Sequence, residues 1–251
     1  MKDLTFLIPI KIDSNDRLEN LTTIVSYLQR CFKDCDIVII EMDASPKLLY
    51  KSILADVKYR FITNDSPYFN KCKAINAGVK IVKTPYFAVY DADVFFNPEA
   101  IRIGLNVLKT ENVQLIYPYN GNFYNIKRDI IGKLNSATNF DIDMKDCNLV
   151  HPQSVGGCFI TSVECFKEVG GANEHFVSWG FEDNEIPIRY QKLGYNYAHL
   201  KEFVCFHIEH CSSDNSGINL LYKNNAFEIE KSKQMDANEL RAYISTWRYF
   251  E

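Results

Sequence analysis

The sequence predicts an α/β fold with a mostly parallel central sheet and helices on both sides. In the first hundred residues, short apolar runs alternate with segments whose apolar residues recur at helical spacing, which is typical of repeated β-α units. The length of 251 residues suits one large α/β domain or two small ones. Ligands of such sheets bind at the carboxyl ends of the strands, so the residues after each strand are candidates for a site.

The first half contains apolar strands and helices that begin at capping or proline-marked positions. The predicted strands are Leu4 to Ile10, Ile37 to Glu41, Tyr59 to Ile62 and Tyr86 to Tyr90. The predicted helices are one capped by Asn15, a short one after Ser45, Asn70 to Val82, and one that starts at Asn97-Pro98. The fourth strand runs directly into Asp91.

The second half is less regular. Residues 119 to 151 form an excursion rich in Asn and Asp, and Ser154 to Ile160 form a strand that contains two glycines. The remaining predicted elements are a short helix from Ser162 to Gly170, a helix from Glu182 to Leu193, a strand from Phe203 to Ile208, and closing helices at Leu220 to Lys231 and Asn238 to Trp247.

Composition excludes several classes of function. The formal net charge of -4 gives no broad basic surface, so nucleic acid is not an expected partner. Because no run approaches about 18 apolar residues and no signal peptide is present, we expect a cytoplasmic protein without a transmembrane segment. Peripheral contact with the inner face of a membrane stays open. The eight cysteines are expected to be reduced and mostly buried, because the sequence shows no secretion signal. A zinc site on Cys31 and Cys35 stays open, although no second pair completes it.

Asp91-Ala92-Asp93 follows the fourth strand. Two carboxylates at this spacing can face one hard cation that also binds phosphate oxygens. A helix cap or a solvated turn explains the tripeptide equally simply, and taken alone it favours that simpler interpretation.

The run WGFEDNE, residues 179 to 185, places two adjacent acids at a predicted helix start. The helix dipole favours acids there, but it does not explain the preceding Trp-Gly pair. A carbohydrate site explains both features. Trp179 would stack on a sugar, Gly180 would allow close approach, and a carboxylate would take a proton from a hydroxyl.

Two further segments carry candidate ligands. In FHIEH, residues 206 to 210, two histidines at a strand exit make metal binding about as plausible as a structural role. Histidine beside carboxylates suits Mn²⁺ and still permits Mg²⁺. Lys71 and Lys73 lie near a helix start where phosphate binds well, although two solvated lysines explain that segment equally well.

In this order, the segments resemble inverting glycosyltransferases of the GT-A fold, above all the β-1,4-galactosyltransferases and the bacterial chondroitin-polymerase-like enzymes. FNKCKAINAG, DAD, the SVGGCF to WGFEDNE block, IPIKIDSNDRLENL and FHIEH are each similar to a family segment, over roughly residues 4 to 210. The resemblance implies a metal-dependent enzyme that moves a hexose or N-acetylhexosamine from a UDP-sugar to a saccharide acceptor. We expect a role in surface polysaccharide synthesis.

The resemblance also implies roles for single residues. Asp183 would be the catalytic base, and Gly157, Trp179 and Glu182 would bind the acceptor. The implied metal ligands are Asp93 with His207 or His210, and we prefer His207 because FHIE is similar to the YHQE-type run of the polymerase-like enzymes. The implied donor-binding residues are Pro9, Lys11, Asp13, Glu41, Asp43, Phe69, Lys71 and Asp91.

The implied organisation is a catalytic domain at residues 1–215 and a helical extension at 216–251. The domain divides into a nucleotide-binding half, 1–95, and an acceptor-binding half, 96–215. Phe181 stands where the family often carries glycine or another aromatic residue, and the excursion has no family counterpart. One alternative is a sugar-nucleotide pyrophosphorylase, although the first strand lacks the Gly-rich basic loop that such enzymes need for a triphosphate. The other is a non-catalytic carbohydrate-binding protein, although Asp93, Glu182 and Asp183 are all present.

Overall fold

The computed structural model describes residues 1–48, 55–129, 131–132, 142–211 and 219–251. The strands are β1 Leu4–Ile10, β2 Asp36–Asp43, β3 Lys58–Thr63, β4 Tyr86–Tyr90, β5 Val94–Phe95, β6 Leu115–Tyr117, β7 Phe123–Ile126, β8 Cys147–His151, β9 Cys158–Ser162, β10 Tyr197–His199 and β11 Cys205–Ile208. The helices are α1 Asn15–Cys31, α2 Lys71–Val79, α3 Pro98–Thr110, α4 Val163–Glu168, α5 Glu182–Lys192, α6 Tyr222–Gln234 and α7 Ala237–Ile244, with a 3₁₀ turn at Met144–Asp146.

The central sheet has seven strands in the order β10-β6-β9-β4-β1-β2-β3 within the described residues. Every residue of β1 is buried, and β1 pairs in parallel with β2 and β4. This arrangement confirms the predicted α/β class with a mostly parallel sheet. β9 is the exception, because it runs antiparallel to both β4 and β6.

A second sheet of the described residues has the order β5-β11-β7-β8. It begins directly after β4, where the Asp91 amide donates to the Gly157 carbonyl at 2.8 Å and the Ile208 amide donates to the Asp93 carbonyl at 2.8 Å. The turn at residues 91 to 93 is therefore fixed between the two sheets. Pairing of β5 with β11 sets His207 opposite Val94, one residue from Asp93.

Several helices begin directly after a residue whose side chain caps them. Asn70 caps α2, Asn97 caps α3 ahead of Pro98, and Ser162 caps α4, each through a side-chain oxygen that accepts from a backbone amide. Ser14, rather than Asn15, caps α1. The short helix predicted after Ser45 falls largely on residues 49–54, outside the described part of the chain.

Other boundaries differ from the prediction. Helix α2 ends at Val79 instead of Val82, and β9 begins at Cys158 instead of Ser154. The excursion at 119–151 contains β7 and β8, which form an antiparallel pair in the second sheet. Its polar composition hid these strands, because the side chains of β8 are mostly exposed.

The C-terminal helices pack on the segment that contains WGFEDNE. The Asn225 side chain of α6 donates to the carbonyls of Val177 and Trp179 at 3.0 and 3.3 Å. The fully buried Glu185 of α5 accepts from Arg189 at 2.8 and 3.0 Å, and the Ser232 hydroxyl lies 3.2 Å from it. The C-terminal helices thus hold the start of α5 in place. Among the described helices, none has the length and apolar character needed to cross a membrane.

Candidate active site

A cavity of about 630 Å³ lies at the carboxyl ends of β1 and β4. All of the predicted site residues except Glu41 and Asp43 line it. They come from the first strand, the turn after β4, the start of α2, the glycines before β9, the start of α5 and the exit of β11. The cavity therefore brings together six segments that are far apart in the sequence.

Glu41 and Asp43 belong to β2 and hold the turn that follows it. Glu41 is fully buried and accepts from the Tyr59 hydroxyl at 2.6 Å and the Lys47 amide at 2.7 Å. Asp43 forms an ion pair with the Lys47 ammonium at 2.7 Å. With these oxygens engaged, both side chains support the β2 turn beside the cavity and do not line it.

Asp93, His207 and His210 form what we call the histidine cluster, in which one ligand atom of each residue lies within 4.8 Å of the others. The His210 Nε2 atom is 3.2 Å from Asp93 Oδ2, and the His207 Nε2 atom is 3.8 Å from the same oxygen. Both histidines therefore turn the same ring nitrogen toward one carboxylate. The geometry does not single out His207.

The other ring nitrogens explain this orientation. His210 Nδ1 lies 2.9 Å from the Cys211 carbonyl, which only accepts, so that nitrogen carries the proton and Nε2 keeps its lone pair in the neutral ring. His207 Nδ1 lies 2.8 Å from the Asn125 amide oxygen. Hydrogen bonds of this kind fix the ring orientation in metal-binding histidines. One carboxylate and two oriented imidazoles fit a divalent ion such as Mn²⁺.

Positive charge surrounds Asp93. The Arg17 guanidinium lies 3.3 Å from Asp93 Oδ2 and 3.1 Å from Asp13 Oδ1, so it bridges two carboxylates. Burial acts to raise the pKa of Asp93, but the two histidines and the guanidinium outweigh it and hold that pKa well below its usual range. The hydrogen bond to Asp93 in turn raises the pKa of His210.

A second group, which we call the acidic cluster, consists of Lys71, Asp91, Glu182 and Asp183. The Lys71 ammonium lies 2.9 Å from Asp91 Oδ1 and 3.2 Å from both carboxylate oxygens of Asp183. Burial lowers the pKa of Lys71, but the two carboxylates outweigh it and hold that pKa well above its usual range. The lysine is therefore a fixed cation between two carboxylates from different segments.

Two carboxyl groups of the acidic cluster, Glu182 and Asp91, have raised pKa values. Burial, followed by the charge of Asp183, raises the pKa of Glu182 to about 7. Burial also raises the pKa of Asp91 to about 6, where the charges of Asp183 and Asp93 act against the opposing effect of Lys71. One ammonium does not compensate so many neighbouring carboxylates.

Backbone geometry brings the acidic cluster together. Phe181 and Gly180 have φ angles of 72° and 118°, which turn the chain sharply before α5, and the Gly180 amide donates to Glu182 at 3.0 Å. On the opposite wall, a Cβ atom at Gly156 would lie 3.0 Å from Asp183 Oδ2. Glycine at position 156 therefore lets the backbone that precedes β9 approach the Asp183 carboxylate.

Comparison with known proteins identifies the family. The family model described as glycosyl transferase family 2 matches residues 15–170, more than half of the chain. The chain belongs to glycosyl transferase family 2. A second model, described as the N-terminal domain of galactosyltransferase, matches residues 138–212. No curated protein gives a significant match.

A solved structure confirms the fold of this glycosyltransferase. The catalytic domain of Drosophila β1,4-galactosyltransferase 7, in complex with xylobiose, aligns with a TM-score of 0.51. It shares 18% sequence identity, and the alignment covers 94% of this chain and 82% of that one. The chain is thus an enzyme of the GT-A fold that resembles the β-1,4-galactosyltransferases.

Among the residues that line the cavity of this glycosyltransferase, Arg17, Asn125 and Tyr222 were not predicted from the sequence. Arg17 had a weak signal, because a basic residue in the first turn of a helix opposes the helix dipole and needs an anionic neighbour. Asn125 lies within the irregular excursion, and Tyr222 begins α6, some forty residues beyond WGFEDNE. No local pattern connects either of these two residues to the cavity.

Tyr222 completes an aromatic group at the edge of the cavity. Its ring stacks on Trp179 with centroids 5.8 Å apart and an interplanar angle of 15°, and it lies 4.9 Å from the Phe181 ring. Trp179 remains 40% exposed. Helix α6 therefore supplies a ring to the site that stacks on the exposed tryptophan.

Proposed function

We propose that this glycosyltransferase is metal-dependent and inverting, and that it moves a hexose or N-acetylhexosamine from a UDP-sugar to a saccharide acceptor. The observation that carries the proposal is the shared cavity, in which the histidine cluster and the acidic cluster lie side by side. Such a transfer needs a metal ion to stabilise the leaving diphosphate and a carboxylate to act as the base, and the two clusters offer both kinds of group. We further propose a role in surface polysaccharide synthesis.

Asp93, His207 and His210 would hold the metal, Mn²⁺ or Mg²⁺, through the carboxylate and the two Nε2 atoms. The bound ion supplies positive charge that neutralises the leaving diphosphate. Asn125 and the Cys211 carbonyl would keep the imidazoles in the orientation that ligation requires. Arg17, already beside Asp93, would add positive charge at the same place.

Asp183 would act as the base that takes the proton of the acceptor hydroxyl. The hydroxyl oxygen then bonds to the anomeric carbon from the face opposite the diphosphate, the bond to the diphosphate breaks, and the configuration inverts. Glu182 supports this step, because its pKa of about 7 leaves part of the population protonated and able to donate a hydrogen bond to the acceptor. Trp179 would stack on a sugar face, with Gly157 at the opposite wall.

The donor would lie along the first strand and the start of α2. Pro9, Lys11 and Asp13 would contact the uracil and ribose, and Phe69, Lys71 and Asp91 would contact the rest of the nucleotide. Glu41 and Asp43 would contribute by supporting the turn after β2. A saccharide acceptor agrees with the xylobiose bound to the similar Drosophila enzyme.

A panel of UDP-sugars tests the proposal. We expect one donor to raise the melting temperature in the presence of Mn²⁺ by mass action, and the same donor to release UDP slowly to water without an acceptor. Release of pyrophosphate from UTP and a sugar phosphate would instead support a pyrophosphorylase. Stabilisation by free saccharides, with no UDP release from any donor, would support a carbohydrate-binding protein.

A further inference from the structure

Lys71 contacts the proposed base more closely than a donor-binding role requires. Its ammonium lies 3.2 Å from both oxygens of Asp183 and within 3.0 Å of Asp91. Only 13% of its side chain is exposed. Lys73, two residues further along α2, is exposed and does not line the cavity. The two lysines of this segment therefore have different environments.

This contact opposes catalysis as long as it persists. An ammonium that donates to both oxygens of a carboxylate occupies one lone-pair site on each of them. An acceptor hydroxyl needs one of those oxygens within hydrogen-bond distance. Release from Lys71 therefore leaves Asp183 more lone-pair sites with which to accept from an incoming hydroxyl.

The donor carries the group that can release it. A nucleoside diphosphate has several anionic oxygens, and the cavity that holds Lys71 also holds the histidine cluster where the diphosphate would lie. Lys71 is the first residue of α2, a position at which backbone amides also favour phosphate. A diphosphate therefore competes with Asp183 for the same ammonium.

We propose that Lys71 is a positioning residue that couples donor binding to the base: its ammonium moves from Asp183 to the donor diphosphate, and Asp183 becomes free to accept the acceptor proton. The inference rests on the proposed function, because it requires a diphosphate in the cavity. It adds that Asp183 and UDP compete for one cation. The base is then available when the donor is in place.

The test is a double-mutant cycle on UDP binding, measured by calorimetry with Mn²⁺. Asp183→Asn should tighten UDP binding about three- to tenfold, because it removes the competitor for Lys71. Lys71→Met should weaken binding. In the Lys71→Met background, Asp183→Asn should have no further effect, whereas simple repulsion between Asp183 and the diphosphate would persist there.

Two further variants sharpen the cycle. Lys71→Arg keeps the cation and should restore most of the affinity and the response to Asp183→Asn. Lys73→Met is the matched control on the exposed side of α2, and it should leave UDP affinity unchanged. Should Lys71→Met fail to fold, Asp183→Asn still tests the inference, since unchanged or weaker UDP binding contradicts competition.

The outcomes separate this inference from the proposed function. If UDP binds with Mn²⁺ and the two substitutions have additive effects, the coupling through Lys71 is wrong and the transferase proposal stands. If UDP does not bind the wild-type protein in the presence of Mn²⁺, both are wrong. Tightening by Asp183→Asn that disappears with Lys71→Met supports both.

Discussion

The histidine cluster and the acidic cluster use similar side chains in opposite proportions. In the first, one carboxylate, Asp93, faces two imidazoles and a guanidinium, and its pKa falls well below the usual range. In the second, one ammonium faces several carboxyl groups, and the pKa of Glu182 rises to about 7. Burial acts to raise the pKa of both carboxyl groups, and the comparison teaches that the surrounding charges decide which of the two stays ionised.

Loss of the proposed base should have the largest effect. Asp183→Asn keeps the shape of the side chain but removes its basicity, so we expect transfer to fall about a hundred- to ten-thousandfold. The measurement is UDP release in the presence of acceptor. The neighbouring Glu182→Gln should lose less activity, and a greater loss in that variant would reverse the two roles.

Replacing the histidines should have the next largest effect, on metal affinity. Because both Nε2 atoms face Asp93, we expect His207→Ala and His210→Ala each to weaken Mn²⁺ binding about ten- to a hundredfold. Titration of Mn²⁺ by calorimetry measures the change. His175→Ala is the control, since His175 does not line the cavity. Wild-type affinity in either cluster variant would exclude that histidine as a ligand.

The aromatic group at the cavity edge should contribute less. Tyr222→Ala removes the ring behind Trp179, so we expect the KM for the acceptor to rise about two- to tenfold with little change in kcat. Tyr222→Phe should behave as wild type. Phe227→Ala lies on the same helix at a side chain that is 72% exposed, and it serves as the matched control. An unchanged acceptor KM for Tyr222→Ala would remove Tyr222 from the acceptor site.

The smallest effect concerns stability. The pKa of Glu182 rises from 4.5 to about 7 on folding, so the folded state favours the protonated form. The resulting stabilisation is complete below about pH 4.5 and is lost as the pH rises to about 7. Melting curves of the metal-free protein should shift down by a few degrees over this range, and Glu182→Gln should reduce the shift. Equal shifts in both proteins would contradict the raised pKa.

Some strands of the fold could be predicted from the sequence, and others could not. Strands β1, β2 and β4 were predictable because each is a buried apolar run, and the residues after β1 and β4 line the cavity as parallel-sheet geometry requires. The antiparallel direction of β9 was not predictable, because strand direction depends on partners that are distant in sequence. The exposed strand β8 has no apolar period to reveal it.

The residues of the site could be predicted from the sequence, but the contacts between them could not. Family resemblance predicted the carboxylates and histidines, since they fall in short ordered segments. The bridge from Lys71 to Asp183 joins residues 112 positions apart, and the hydrogen bond from His207 to Asn125 joins residues 82 apart. Contacts of this range depend on the tertiary fold. Glu41 and Asp43 show the converse, because they lie at the carboxyl end of a strand, as site residues do, while their oxygens are engaged by the β2 turn.

Calorimetry of UDP binding, with and without Mn²⁺, tests the central claim most directly. For the wild-type protein we expect Mn²⁺ to tighten UDP binding by about tenfold or more. For Asp93→Ala, which removes the carboxylate shared by both histidines, we expect the two titrations to coincide at the weaker affinity. Equal UDP affinity with and without Mn²⁺ in the wild-type protein would contradict a metal-dependent transfer.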